Sequence, residues 1–272
     1  MNPKPKILIF GISSDIGIAL AKHWLEFGAE IIGTYRRITP KLSNLKINPD
    51  YLFSCDFSSK ISIERTLKDL QTKSDNWDAA IFCQGTMNPL GPFTKSDIDE
   101  WEKSFQINFL SIMRILHFLL PSRSKQSHPI VITFAGGGTN SAPRYNSCYV
   151  SSKIALTKSM ELLDAEYEDT RFSILGPGWV KTKIHTEMLD ASDDMKREKL
   201  ETSRRLSENN FVPMSDVVEL CHYLLTTKSK ALSGRNFSAA HDKWKSKNFL
   251  KFLSSNQDAY KLRRHSNEVG IQ

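Results

Sequence analysis

The sequence predicts an α/β protein with a single doubly wound parallel sheet, of the Rossmann type, and helices on both of its faces. Short apolar runs of strand length alternate along the chain with segments of helical periodicity, which is the pattern of repeated βαβ units. A turn that contains glycine joins the first apolar run to the first helical segment. The 272 residues contain no internal repeat and no linker rich in Pro, Gly or Ser. We therefore expect one domain over residues 1–272, a length that one large core can fill.

The predicted strands are apolar runs typical of strands that are buried on both faces. In chain order they are KILIF, EIIGTY, YLFSC, WDAAIFC, PIVITFA and RFSILGPG, followed by a last strand-like run, GRNFSAA. Between the first two, DIGIALAKHWLEFG places Ile16, Leu20 and Trp24 on one helical face, and Gly28 ends the helix. The first strand, turn and helix thus predict a βαβ unit.

Three later segments differ from this alternation of short strands and helices. The stretch TKSDIDEWEKSFQINFLSIMRILHFLL predicts one long amphipathic helix, capped by Thr94 or Ser96 and stopped by Pro121. Residues of about 184–210 are polar and helical in pattern, so we expect a surface insertion that acts as a lid over a substrate. Residues of about 242–272 form a C-terminal extension, which we expect to pack on a neighbouring subunit.

Composition limits the possible partners and compartment. The chain has 37 basic and 30 acidic residues, a net charge of +7, which suits an anionic partner such as a phosphorylated cofactor but also an ordinary solvated surface. No run alternates basic and aromatic residues, so we predict no nucleic-acid partner. The four cysteines form no CxxC pair, and we expect reduced thiols and no metal site. The N-terminal apolar run stops at Gly11, too short for a signal sequence or membrane span, which favours a soluble cytoplasmic protein without a membrane partner.

The turn ILIFGISSDIG has the features of a phosphate-binding site. Gly11 follows a buried strand directly, and Gly17 lies in the opening turn of a helix. Glycine allows the backbone to approach a pyrophosphate, and a helix N-terminus supplies free N–H groups and a favourable dipole. Ser13 and Ser14 can add hydroxyl donors. The strand before this turn and the helix after it strengthen the prediction.

A second motif, in CYVSSKIAL, carries acid–base chemistry. Tyr149 and Lys153 are one helical turn apart, so both side chains can reach a common point. Because tyrosine has an ordinary pKa near 10, a neighbouring ammonium group is expected to lower the pKa of the phenol. A tyrosine tuned in this way can act as general acid on a carbonyl or as general base on an alcohol.

Together, the glycine turn and the YxxxK motif make the chain resemble the short-chain dehydrogenase/reductase family, from about Lys6 to about Ala240. The family's glycine motif is TGxxxGxG. Here the outer glycines match, whereas Phe10 and Asp15 replace the first and middle positions. We expect Asp15 to cap helical N–H groups without competing for phosphates. The segment IFCQGT stands where the family often has NNAG, and only Gly85 matches.

The resemblance implies a nicotinamide cofactor. Tyr35 stands where an acidic residue would bind the ribose of NAD, and Arg36 suits a 2′-phosphate, so we expect NADP rather than NAD; an exposed arginine pair is the alternative. Asp56 would contact the adenine, and the loop after the sixth strand, which carries Val180 and Thr182, would close over the nicotinamide. The implied cofactor contacts are Gly11, Ser13, Ser14, Ile16, Gly17, Arg36, Asp56, Phe57, Gly85, Tyr149, Lys153, Pro177, Gly178, Val180 and Thr182.

The resemblance also implies a catalytic group of Tyr149, Lys153 and Asn108, the last holding a water near the lysine. One member is missing, because the family's catalytic serine aligns with Gly136. Three outcomes are open: a donor from the next loop, donation by backbone N–H groups, or cofactor binding without efficient turnover. The residues concerned are Thr139, Asn140 and Ser141 for the first and Gly136–Gly138 for the second.

We therefore expect an NADP-dependent oxidoreductase that interconverts an alcohol and a ketone by hydride transfer. The lid is rich in both charge signs, which favours a small polar substrate, with a sugar or nucleotide-sugar possible. The alternative is a regulatory or scaffold protein that binds the cofactor with weak or no catalysis. The resemblance further implies a homo-dimer or homo-tetramer packed through the helices that carry Tyr149 and Asn108.

Overall fold

The architecture is one seven-stranded sheet in which every neighbouring pair of strands is parallel. A computed structural model describes residues 4–191 and 193–264. Strand order is β3-β2-β1-β4-β5-β6-β7, which confirms the predicted doubly wound, Rossmann-type fold. The strands are β1 (Lys6–Phe10), β2 (Glu30–Tyr35), β3 (Leu52–Ser54), β4 (Ala79–Phe82), β5 (Ile130–Phe134), β6 (Arg171–Gly176) and β7 (Arg235–Ser238).

The helices connect these strands and cover both faces of the sheet. They are α1 (Asp15–Glu26), α2 (Pro40–Ser43), α3 (Lys60–Leu70), α4 (Ile98–Phe105), α5 (Ser111–Leu119), α6 (Ser147–Glu166), α7 (Ile184–Leu189), α8 (Lys196–Ser207), α9 (Met214–Thr226) and α10 (Phe249–Ser255). Short 3-10 turns occupy Pro49–Tyr51, Phe93–Lys95, Leu120–Ser122, Asp193–Met195 and Lys230–Leu232.

Two apolar layers hold the helices to the sheet. Successive strand residues point to opposite faces, so Ile7 and Ile9 belong to one layer and Leu8 and Phe10 to the other. The first layer is completed mainly by α1, α9 and α10, and the second by α3, α5 and α6. Because both faces are covered, β1, β4, β5 and β6 consist almost wholly of buried residues, which is why they were visible as continuous apolar runs.

The predicted long helix over residues 94–120 is interrupted. Thr94 belongs to a separate 3-10 turn, and the helix begins only at Ile98, so the expected cap at Thr94 or Ser96 is wrong. Asp97 is the cap, and its carboxylate accepts hydrogen bonds from two N–H groups of the first turn. A π-helical turn, Gln106–Leu110, separates α4 from α5. It lies beside the cavity described below, and such turns are frequent at functional sites.

The described part of the C-terminal extension packs on its own chain, and a contact with a neighbouring subunit stays a prediction. Trp244, Phe249 and Leu253 are buried in the first apolar layer. The buried guanidinium of Arg235, on β7, donates to the carbonyl oxygens of Leu253, Asn256 and Ala259 at 2.6–2.9 Å. The last part of the extension, residues 265–272, lies outside the described residues.

Two smaller expectations are met where the chain is described. The polar insertion forms α7 and α8, as its periodicity predicted. All four cysteines are free thiols, and three of them are buried. Within residues 4–191 and 193–264, no helix has the length and apolar character needed to cross a membrane.

Candidate active site

A cavity of 1430 Å³ opens at the carboxyl ends of the strands. This is the edge at which doubly wound sheets bind ligands, near the point where strand order reverses on the two sides of β1. Its volume exceeds the roughly 300–1,000 Å³ of most ligand pockets, as a site for a dinucleotide and a substrate together requires. The predicted contacts that line it are Gly11, Ser13, Ser14, Ile16, Arg36, Asp56, Phe57, Gly85, Tyr149, Lys153, Pro177, Gly178, Val180 and Thr182.

The glycine turn has the shape of a phosphate cradle. Gly11 has a φ of +77°, and a Cβ added there would lie 2.9 Å from the backbone nitrogen of Gln84. Gly17 does not line the cavity. A Cβ at this position would lie 2.7 Å from the carbonyl oxygen of Gly11, so the glycine permits close packing of α1 on the turn. Side chains at either position would collide with neighbouring backbone, so the two glycines allow the tight path of the turn into α1. A turn of this shape at a helix N-terminus fits a bound pyrophosphate.

Asp15 does not cap α1, contrary to expectation. Ser14 is the cap, since its hydroxyl accepts from Gly17 N at 3.0 Å. The Asp15 carboxylate instead accepts from the backbone N–H of Lys183 at 3.1 Å and from Lys41 Nζ at 2.9 Å. Burial alone would raise the pKa of this carboxyl, but these hydrogen bonds outweigh it and the pKa is lowered. Asp15 thus ties the glycine turn to the base of the lid.

At the far end of the cavity, Arg36 is exposed directly after β2, and Asp56 follows β3. Asp56 accepts hydrogen bonds from the backbone N–H and the hydroxyl of Ser58, at 2.9 and 2.8 Å. Burial tends to raise the pKa of Asp56, but these bonds and the positive charge of Arg36 lower it. The predicted adenine and 2′-phosphate residues therefore share one end of the cavity.

The predicted catalytic residues lie close together at the end of the cavity opposite Arg36 and Asp56. Asn108 lies in the π-helical turn and is fully buried, although it does not itself line the cavity. Its Oδ1 accepts from Thr86 N at 3.0 Å, and its Nδ2 donates to the Thr86 carbonyl at 2.9 Å and to the Ser152 hydroxyl at 3.2 Å. Ser152 Oγ in turn donates to the Tyr149 carbonyl at 2.8 Å. Asn108 thus joins the end of β4 to the first turns of α6, which explains a buried asparagine in an apolar helix.

Lys153 lies deeper than Tyr149. It is 5% exposed, its Nζ donates to the carbonyl oxygen of Phe134 at 3.0 Å, and this Nζ is 5.9 Å from the centroid of the Tyr149 ring. Burial lowers the pKa of Lys153 to about 8. The pKa of Tyr149 is raised to about 12, first by burial and then by the Glu187 carboxylate. The expected lowering of the Tyr149 pKa is therefore wrong, because burial and the Glu187 carboxylate together raise it.

Gly136 has no room for the family's serine in this arrangement. A Cβ built on Gly136 would lie 2.6, 2.8 and 2.9 Å from Cε1, Cζ and Oη of Tyr149. The tyrosine ring thus lies directly against the backbone of Gly136. Any side-chain group that polarises a substrate oxygen beside Tyr149 must come from another position.

The role of Glu187 was not predicted from the sequence. This residue of α7 accepts from the Thr86 hydroxyl at 3.0 Å and from Met87 N at 2.6 Å, which ties the lid to the loop after β4. Next to it, the rings of His185 and Trp179 stack with centroids 3.8 Å apart. A carboxylate in a charge-rich helix carries no signal of its own, because only the folding of the lid brings it to Tyr149.

Two buried amides that line the cavity were also missed. Gln84 is 7% exposed, and neither its Oε1 nor its Nε2 has a hydrogen-bond partner among the described residues. Asn146 is 8% exposed, and its Oδ1 likewise lacks a partner there. Buried amides are nearly always satisfied, so unmet groups in a cavity wall indicate ligand contacts. Over the same described residues, no three His, Cys, Asp or Glu side chains are grouped closely enough to bind a metal ion.

The sheet order, the glycine turn and the Tyr149–Lys153 pair define a class of protein, and the comparisons with known proteins agree. A family model described as enoyl-(acyl carrier protein) reductase matches residues 11–240. The chain belongs to the short-chain dehydrogenase/reductase family and is an oxidoreductase of that family.

Individual relatives fit this assignment. An uncharacterized oxidoreductase of Schizosaccharomyces pombe is 31% identical over 192 residues, which is 69% of this chain and 75% of the relative. A benzil reductase of Saccharomyces cerevisiae, described as forming (S)-benzoin, is 28% identical over 197 residues, 67% of this chain and 74% of the relative. The crystal structure of a short-chain dehydrogenase/reductase from Saccharomyces cerevisiae covers 88% of this chain and 98% of its own, with a TM-score of 0.74 and 19% identity.

Proposed function

We propose that this protein is an NADP(H)-dependent reductase that converts a small ketone into an alcohol. The observation that carries the proposal is the Tyr149 hydroxyl, which lines the cavity with a pKa of about 12. At neutral pH such a phenol is protonated, so it can give a proton to a carbonyl oxygen. In the reverse reaction a phenolate is needed, and a pKa of about 12 makes it scarce. The protonated phenol thus holds the proton that ketone reduction requires, and this supports reduction as the proposed direction.

A bound nicotinamide would supply the hydride for the carbonyl carbon. The chain's own residues would hold it: the glycine turn and the N-terminus of α1 take the pyrophosphate, and Arg36 takes the 2′-phosphate. The unpartnered amide of Gln84 adds a polar contact in the same wall. Arg36, with no carboxylate at Tyr35 to bind ribose hydroxyls, supports NADP over NAD.

Tyr149 gives its proton to the substrate oxygen as the carbon is reduced, so that the product is a neutral alcohol. The Asn108–Ser152 hydrogen bonds position the first turns of α6 and hence the phenol. Lys153, held by the Phe134 carbonyl, lies beneath the tyrosine and is partly charged near pH 8. The charged form of Lys153 stabilises the phenolate that remains after proton transfer. This offsets part of the free-energy cost of forming that phenolate in a buried site.

The lid supports a polar substrate. Trp179, Thr202 and Arg205 line the cavity together with Glu187 and His185, which combines aromatic surface with groups able to donate and accept hydrogen bonds. The benzil reductase relative acts on a diketone according to its name, and the same chemistry on a small polar ketone, a sugar included, is the activity we propose here.

The alternative, a cofactor-binding regulatory protein, rests on the absence of the serine at Gly136. The reductase and the regulatory protein are distinguished by two assays. One follows the loss of NADPH absorbance with benzil and dihydroxyacetone, and the other follows the gain of NADPH absorbance when NADP is supplied with the matching alcohols. The proposal predicts turnover of at least one ketone, faster than oxidation of its alcohol at pH 7. Tight NADPH binding without turnover of either ketone would favour the regulatory protein. A cytoplasmic location and homo-oligomerisation stay predictions.

A further inference from the structure

The position of Tyr149 against Gly136 leaves the substrate oxygen without the family's serine. In the proposed reaction, negative charge grows on that oxygen before the proton arrives, and a second donor stabilises it. The loop residues Thr139, Asn140 and Ser141 are poor sources, since Asn140 and Ser141 are exposed and Thr139 is only half-buried. Solvated side chains must be ordered before they can donate.

We propose that the side-chain amide of Asn146 donates the hydrogen bond that holds the substrate's carbonyl oxygen beside the Tyr149 hydroxyl. The inference rests on the proposed function and names a catalytic residue for it. Asn146 lies one helical turn before Tyr149, and both line the same cavity. Asn146 is the N-cap residue of α6, three positions before Tyr149, so both residues border the cavity where α6 begins and one small ligand can meet both side chains.

No structural role accounts for this side chain. Asn146 holds the N-cap position of α6, where asparagine normally accepts a hydrogen bond from the first turn, yet its side chain makes no capping bond. It is 8% exposed, and its Oδ1 has no partner among the described residues. This unmet acceptor, which costs about 1–3 kcal/mol, would be satisfied by a hydroxyl of a polar substrate. No described residue accepts a hydrogen bond from Nδ2, so its donors are available to the substrate's carbonyl oxygen.

The backbone at this position is fixed on both sides. The Asn146 carbonyl accepts from Val150 N at 3.0 Å, and the carbonyl of Tyr145 accepts from Gly91 N at 3.0 Å. Tyr145 has a φ of +64°, a conformation that costs energy for a tyrosine and sets the direction in which the chain enters α6. An amide carries donors on Nδ2 and an acceptor on Oδ1, and a ketone oxygen requires the donor. Because the backbone of Asn146 is held in place, its side-chain donor has a fixed orientation, as stabilisation of a transition state requires.

The test compares Asn146→Ala and the isosteric Asn146→Asp, which keeps an acceptor but loses the donor. Reduction of benzil and dihydroxyacetone by NADPH is measured together with the NADPH dissociation constant, by fluorescence, and thermal unfolding. Both variants should lower kcat by about 10²–10³, the usual effect of losing one such donor, with NADPH affinity unchanged. Ser147→Ala, an exposed neighbour outside the cavity, is the matched control and should keep wild-type kcat.

The outcomes separate this inference from the function on which it rests. If wild type is active and Tyr149→Phe is not, but folded Asn146→Asp keeps wild-type kcat, the Asn146 assignment alone is overturned. A loss of kcat in Thr139→Ala or Ser141→Ala in place of the Asn146 variants would also overturn it and move the donor to the loop. If wild type reduces neither ketone, the proposed function fails and the assignment fails with it.

Discussion

Restoring the family's serine at Gly136 should damage this enzyme rather than improve it. The added Cβ would lie 2.6 Å from Tyr149 Cε1 and 2.9 Å from its Oη, whereas nonbonded carbon atoms pack at about 3.5–4.0 Å. The ring must therefore move by about 1 Å, and a misplacement of that size can cost about 10²-fold in rate. We predict that Gly136→Ser lowers kcat/KM for ketone reduction by about 10²-fold.

Gly137→Ser is the steric control, because Gly137 lines the same cavity and keeps its backbone N–H in the variant, but a Cβ there meets nothing within 4 Å. With no atom to displace, this change should alter kcat/KM by less than about 2-fold, which corresponds to about 0.4 kcal/mol of activation free energy. Steady-state NADPH oxidation by both variants, with thermal unfolding to confirm that both fold, completes the comparison. A rise in kcat/KM for Gly136→Ser would refute the steric reasoning, since it would mean that Tyr149 gives way without loss of function.

Three further predictions concern the cofactor and the pH dependence of stability. Arg36→Ala should weaken NADPH binding by about 10–100-fold, the worth of a charge-assisted hydrogen bond, and NADH binding far less; equal losses in a fluorescence titration would contradict the 2′-phosphate assignment. Lys153 has a native pKa of about 8 and a reference value of 10.5, so between these pH values the unfolded chain holds more protons and stability rises with pH. Urea unfolding should show wild type gaining about 2–3 kcal/mol relative to Lys153→Met between pH 7 and 10, and a constant difference would argue against burial of the charge. His23 contacts His222 at 2.9 Å, and burial, followed by the charge of His222, lowers its pKa below 6.5. Stability should therefore fall as the pH drops below 6.5, less steeply in His23→Gln; identical slopes of the unfolding temperature would count against this pair.

The fold was readable from the sequence because the sheet is covered on both faces. The central strands β1, β4, β5 and β6 are apolar runs, and Gly28, with a φ of +74°, ends α1 where the pattern indicated. The π-helical turn at Gln106–Leu110 was not readable, since a single changed hydrogen-bond register leaves no pattern in the residue order. The docking of Phe249 and Leu253 was missed because a few scattered apolar residues do not tell which surface they cover.

The candidate site was predictable wherever a residue type determines the chemistry. The glycine turn and the Tyr149–Lys153 pair belong to this kind, and both line the cavity. The pKa of Tyr149 was predicted with the wrong sign, because it depends on burial and on Glu187, a residue of the lid whose position comes only from tertiary packing. Asn146 was missed for a related reason, since an asparagine before a helix normally indicates a cap.

The central claim is that Tyr149 delivers the proton for ketone reduction. Stopped-flow measurement of a single turnover tests it most directly, with enzyme in excess over NADPH and the NADPH dissociation constant determined for each protein. We predict that Tyr149→Phe lowers the single-turnover rate by about 10²–10⁴, the usual contribution of a general acid, while NADPH affinity stays unchanged. An undiminished rate at equal cofactor affinity would contradict the assignment of Tyr149 and, with it, the proposed mechanism.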